Sequence, residues 1–96
     1  MSPWTKAGRA AAGVFVRRAR EQFGSRIRRM VLLGSVARGA DGPESDVDLL
    51  VVAKNTRADL RDGLDAIAFH VAMECRRALV FVLYPAAAYH AAKASG

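Results

Sequence analysis

Gly34-Ser35-Val36-Ala37-Arg38-Gly39-Ala40-Asp41-Gly42-Pro43-Glu44-Ser45-Asp46-Val47-Asp48-Leu49-Leu50-Val51-Val52 is the stretch on which the reading of this chain turns. A glycine-serine turn closes one apolar run, Arg29-Met30-Val31-Leu32-Leu33, and ten residues later two carboxylates open the next. If Val47 to Ala53 is a strand, its side chains alternate between faces, so Asp46 and Asp48 share a face. Two like charges held that close repel unless a cation sits between them. Magnesium is the expected cation, as one ion or two, because hard carboxylate oxygens suit it and it commonly joins protein carboxylates to substrate phosphates. Polymerase-type nucleotidyl transfer uses such ions to stabilise the attacking and leaving oxygens. Asp46 and Asp48 are therefore the expected catalytic and metal-binding residues.

The turn supplies the other half of the expected site. Ser35 is a good N-cap for a short helical turn through Val36, Ala37 and Arg38. Exposed N–H groups at such a start favour an anion, so the phosphates of a nucleoside triphosphate are expected against Gly34, Ser35 and the amides that follow. Gly34 lets the backbone approach a ligand without a Cβ in the way. Arg38 or the Gly39 turn is expected to add charge or shape. Gly, Pro, Asp and Ser are also ordinary turn residues, and a plain polar loop ahead of a buried strand is the competing reading.

These residues carry a resemblance. Glycine-serine, ten residues, then Asp-x-Asp resembles the signature of the DNA polymerase β-like nucleotidyltransferase superfamily, most of all its small minimal nucleotidyltransferase branch. Arg38-Gly39 and Ser45-Asp46-x-Asp48-Leu49-Leu50-Val51 fit that branch too. The resemblance implies nucleotide binding by Gly34, Ser35, Arg38, Gly39 and Ser45. It also implies a third metal-site carboxylate on a later strand. The candidate strand, Leu79-Val80-Phe81-Val82-Leu83-Tyr84, contains no acid; Leu79 or Val80 would occupy the usual position, and Glu74 is the nearest acid in sequence. The missing acid weakens the case for transfer more than the case for nucleotide binding.

Length and composition agree with a small α/β (α+β) domain. Ninety-six residues, 52% of them hydrophobic, suffice for one domain spanning 1–96 with a modest core. No apolar run reaches transmembrane length, and Met1-Ser2-Pro3-Trp4-Thr5-Lys6 lacks the apolar core of a signal peptide, so a cytoplasmic location is expected and no membrane partner. The single cysteine, Cys75, cannot form an internal disulfide or a zinc cluster and reads as a small apolar filler on a helix.

Along the chain the pattern is helix, strand, short helical turn, strand, long helix, strand, tail. Ser2-Pro3 starts a helix in which Trp4, Ala7, Ala11, Val14, Phe15, Ala19 and Phe23 recur at helical spacing until Gly24. Thr56 with Asp59 resembles a capping box, and Leu60, Leu64, Ile67, Val71 and Cys75 continue as a core stripe. Gly63 weakens this helix by roughly 1 kcal/mol relative to alanine. If the first two strands are antiparallel neighbours, the end of the first at Leu33 lies beside the start of the second at Asp46, and a small mixed sheet packed with helices results.

A net charge of +6 comes from clusters at Arg17-Arg18-Arg20, Arg26-Arg28-Arg29 and Arg76-Arg77. Such clusters attract nucleic acid or an acidic protein, although little aromatic interleaving is present to stack bases, and arginines on helix backs are commonly just solvated. His70 and His90 read as surface or packing residues. Three functions are compatible with the sequence. The first is a nucleotidyltransferase passing a nucleoside monophosphate, AMP foremost, to a hydroxyl acceptor. The second is a catalytically degenerate, antitoxin-like protein that binds a HEPN-type toxin, the partner that the resemblance to toxin–antitoxin pairs implies. The third is a basic nucleic-acid-binding module.

Overall fold

Burial along the central strand alternates, and that alternation sets the layers. The computed structural model describes residues 3–42 and 45–95. Helix α1 (Pro3–Phe23) passes through a short 3-10 turn (Gly24–Arg26) into strand β1 (Ile27–Leu33). Helix α2 (Gly34–Arg38) follows, then β2 (Val47–Ala53), α3 (Ala58–Cys75), β3 (Leu79–Pro85) and α4 (Ala86–Ser95). The sheet order is β1-β2-β3, antiparallel between β1 and β2 and parallel between β2 and β3. A parallel neighbour requires a crossover, and α3 provides it. The result is the small mixed sheet packed with helices that the sequence implies.

Val47, Leu49, Val51 and Ala53 point from β2 into the main core, where they join Phe15 and Ala19 of α1 and Leu60, Leu64, Ile67 and Val71 of α3. Asp48 and Leu50 alternate onto the opposite face and are only half-buried. On that face Leu33, Val80, Val82 and Tyr84 remain exposed. Cys75 packs half-buried against the core as an apolar filler, and α4 returns onto β3 and β2.

Three local expectations change. The buried stripe of α1 begins at Thr5 and Gly8, with Trp4 and Ala7 outside, because Thr5 anchors a buried aspartate and Gly8 admits close neighbours. No capping box forms at α3: its N-cap is Arg57 without a side-chain cap bond, and Asp59 is held by a two-pronged ion pair with Arg26, at 2.8 and 3.1 Å. Gly63 is a close-approach residue, since a Cβ there would lie 2.3 Å from Phe23 Cζ. The serine half of the expected Ser2-Pro3 start lies outside the described residues.

Candidate nucleotide and metal site

The antiparallel register joins the two halves of the motif. Leu33, the last residue of β1, pairs with Asp48, so Gly34 turns off the strand directly beside that carboxylate. Gly34 has φ +71°, a left-handed conformation that L side chains adopt at a cost. A Cβ at this position would sit 2.6 Å from Asp48 Oδ2. Glycine is thus required here twice, for the turn and for the carboxylate. Asp46 lies just before β2 and is exposed, two residues short of the Leu33 pairing partner.

Helix α2 differs from expectation at its start. It begins at Gly34 after Leu33 as N-cap, with no side-chain cap bond, so Ser35 lies inside the first turn. The left-handed Gly34 already reverses the chain, which leaves no role for a serine cap. At the other end Gly39, φ +71°, is a left-handed C-cap whose N–H donates to the Val36 carbonyl at 3.2 Å, and Ala40 N–H donates to the Ser35 carbonyl at 2.9 Å. Val36 is fully buried and plugs α2 into the fold. Arg9, not singled out in the sequence, donates from Nη2 to the Ala37 carbonyl at 3.1 Å, a cation at the negative end of the short helix. Arg38 is exposed at the end of α2.

The segment leading to the carboxylates is braced from inside. Ser45 Oγ accepts the Gly42 N–H at 3.0 Å. Asp41, with a side chain 0% exposed, pairs with Arg77 at 3.1 Å and accepts a hydrogen bond from the Thr5 hydroxyl. The Thr5 bond first, and Arg77 after it, hold the Asp41 carboxyl below the usual aspartate range against the opposing effect of burial. Arg77 reads in the sequence as part of a solvated basic pair; it is buried because its charge is matched. Other members of the basic clusters also have partners: Arg18 makes a two-pronged bond to Glu74 at 2.6 and 2.8 Å, and Arg26 binds Asp59.

That pairing assigns Glu74 to the α1–α3 surface, away from a third-ligand role. The parallel register puts Val80, one of the two positions (Leu79 or Val80) at which the resemblance implies the third carboxylate, directly opposite Asp48, and Val80 is 47% exposed. Among the described residues no group of three or more His, Cys, Asp or Glu side chains is placed to hold a metal ion. The Asp48 carboxylate lies beside Gly34, with the exposed Asp46 two residues before it in the chain; carboxylate oxygens are of the hard type that suits magnesium, which usually keeps several waters and takes other ligands from substrate phosphates. His70 stacks edge-on against Phe69, and His90 against Tyr89, both histidines being exposed.

A mixed three-stranded sheet with Gly-Ser leaving one strand beside an Asp-x-Asp on its antiparallel neighbour defines a nucleotidyltransferase-type domain. The comparison with known families agrees: the Nucleotidyltransferase domain family matches residues 15–84, and the chain belongs to it. A Methanocaldococcus jannaschii protein that carries the provisional name protein adenylyltransferase is 46% identical over 41 residues, covering 43% of this chain and 28% of that relative. The chain thus aligns with well under half of that relative's length. No solved structure matches the chain. No described helix is long and apolar enough to cross a membrane.

Proposed function

We propose that this chain transfers a nucleoside monophosphate, AMP foremost, from a magnesium-bound nucleoside triphosphate to a hydroxyl group on a partner protein. The observation that carries the reading is the pairing of Leu33 with Asp48, which sets the Gly34 turn against the Asp48 carboxylate. Asp46 and Asp48 hold the metal. Magnesium, when bound, neutralises phosphate charge and stabilises the leaving oxygen. Gly34, Ser35 and Gly39 shape the turn that receives the phosphates, with Arg38 as a cation at its rim. The Ser45 oxygen is occupied by Gly42 N–H, and its own proton remains available to a phosphate oxygen. In the reaction the acceptor oxygen bonds to the α-phosphorus as the bond to pyrophosphate breaks, and the hydroxyl proton passes to solvent or to a site carboxylate. Positioning and charge neutralisation supply most of such catalysis.

The adenylyl group and the protein acceptor follow the name of the M. jannaschii relative. A HEPN-type toxin is the partner that the minimal nucleotidyltransferase resemblance suggests. Val80 opposite Asp48 favours a second reading, in which the chain binds nucleotide and partner with transfer lost. Nucleic acid is the less favoured partner, because Arg18, Arg26 and Arg77 are engaged by acids of the chain itself.

Calorimetric titration of ATP with and without magnesium separates these readings without knowledge of the acceptor. Magnesium-dependent binding that disappears in Asp46→Asn and in Asp48→Asn, with the fold intact by circular dichroism, is the expected result; unaltered binding in both variants refutes the site. AMP transfer to a co-expressed partner, followed by mass spectrometry as addition of one adenylyl group, then decides between enzyme and degenerate binder.

A further inference from the structure

We propose that Arg77 is a positioning residue for the Asp46 carboxylate: Arg77 and Ala78 grip the two peptide groups that flank Asp46. The role assigned to Asp46 rests on the proposed function. The grip itself is geometric. Arg77 donates to the Ser45 carbonyl from Nη2 at 2.9 Å and from Nε at 3.3 Å, and the Ala78 carbonyl accepts the Val47 N–H at 2.8 Å. Residues 77 and 78 therefore fix the peptide before Asp46 and the peptide after it.

The rest of the guanidinium is equally committed. Nη1 donates to the Trp4 carbonyl at 2.7 Å and Nη2 to Asp41 Oδ2 at 3.1 Å, so one side chain joins the start of α1, the segment before β2 and the approach to β3. Its side chain is 5% exposed. Local backbone geometry aims it inward: Arg76 ends α3 in the left-handed conformation, φ +54°, and reverses the chain. Gly8 leaves the room, since a Cβ there would lie 3.3 Å from Arg77 Nη2 and 3.0 Å from Val36 Cγ1.

A buried ion pair is a weak source of stability compared with apolar packing of the same volume. A planar fork that bonds several carbonyls at once is instead a device for fixing geometry, and lysine, with one point charge, cannot reproduce it. The choice of arginine at this place is explained by what it orients.

The test compares the native chain with Arg77→Lys and, as a control, Arg76→Lys at the exposed neighbour. Two quantities are measured: the ratio of ATP affinities with and without magnesium, and hydrogen exchange of the Val47 amide relative to the core Val51 amide. The expected result for Arg77→Lys is about a tenfold fall in the magnesium-dependent gain, the scale typical of residues that orient metal ligands, with Val47 exchange faster by about tenfold and Val51 unchanged. Arg76→Lys should match the native chain in both. Native values of both quantities in a folded Arg77→Lys overturn the proposal, as does faster Val47 exchange with an undiminished magnesium gain, which would make Arg77 merely structural.

If Arg77→Lys does not fold, Asp41→Asn withdraws only the counter-charge and should give the same pattern at smaller size; native values there overturn the proposal equally. A native chain with no magnesium-dependent gain refutes the proposed function, and Val47 exchange then decides the grip by itself.

Discussion

Replacing Gly34 by alanine tests the contact on which the site depends. Two costs are separable. Holding an L-residue at φ +71° costs about 1–2 kcal/mol whatever surrounds it. The new Cβ would also meet Asp48 Oδ2 at 2.6 Å, against an ordinary contact of about 3.5 Å, so the carboxylate must leave its rotamer at about 0.5–1.5 kcal/mol. The sum, about 1.5–3.5 kcal/mol, corresponds to a fall in Tm of roughly 6–28 °C for a domain of this size. Asp48→Ala removes the clashing oxygen and leaves Asp48 Cβ, which lies at an ordinary 3.7 Å from the place a Gly34 Cβ would take. A double-mutant cycle in urea should therefore show Gly34→Ala costing about 0.5–1.5 kcal/mol less in the Asp48→Ala background than in the native one. Equal costs in the two backgrounds would refute the close approach, and no cost in either would refute the left-handed turn as well.

Three further outcomes follow from the geometry. Val80→Asp supplies a carboxylate at the register position opposite Asp48; magnesium affinity should rise by about tenfold, since ligand charge count tunes such sites, and isothermal titration showing no rise would place the third-ligand position elsewhere. Gly63→Ala adds roughly 1 kcal/mol of helix propensity but must displace the ring end of half-buried Phe23, 2.3 Å from the new Cβ, so the two effects should largely offset and leave stability within about 1 kcal/mol of the native chain; a urea midpoint raised by the whole helix-propensity gain would show that moving Phe23 costs nothing. The Asp41 carboxyl is held below its unfolded value by Thr5 and Arg77, so its contribution is present above the unfolded pKa of about 3.9 and is lost as pH falls below that value through the folded one. Asp41→Asn should flatten the acid limb of the stability–pH curve below about pH 4, and an unchanged limb would show that Asp41 does not drive it.

Local rules carried much of this protein. Val47–Ala53 is a strand because the apolar run Leu49–Ala53 follows Val47-Asp48 without a turn residue, and the Leu60, Leu64, Ile67, Val71 stripe is a core face because its spacing matches the helical repeat. The Gly34-Ser35 and Asp46-Val47-Asp48 motif lay open in the sequence because its fixed spacing is itself the signal. Thr5, Gly8, Asp41 and Arg77 were illegible for the opposite reason: each makes its decisive contact with a partner more than 25 positions away, and nothing in the spacing of a threonine, a glycine or an arginine announces such a partner. The same limit separates Thr56-Asp59, which has the form of a capping box, from the ion pair that Arg26 makes with Asp59 instead. The sequence by itself determined the elements, the sheet-forming runs and the chemical type of the site, since these depend on residue periodicity and local backbone preference. Only the tertiary structure decided that Asp48 faces Gly34 on one side and Val80 on the other, and that a buried arginine holds the segment bearing Asp46, because register and burial are set by the packing of elements distant in the chain.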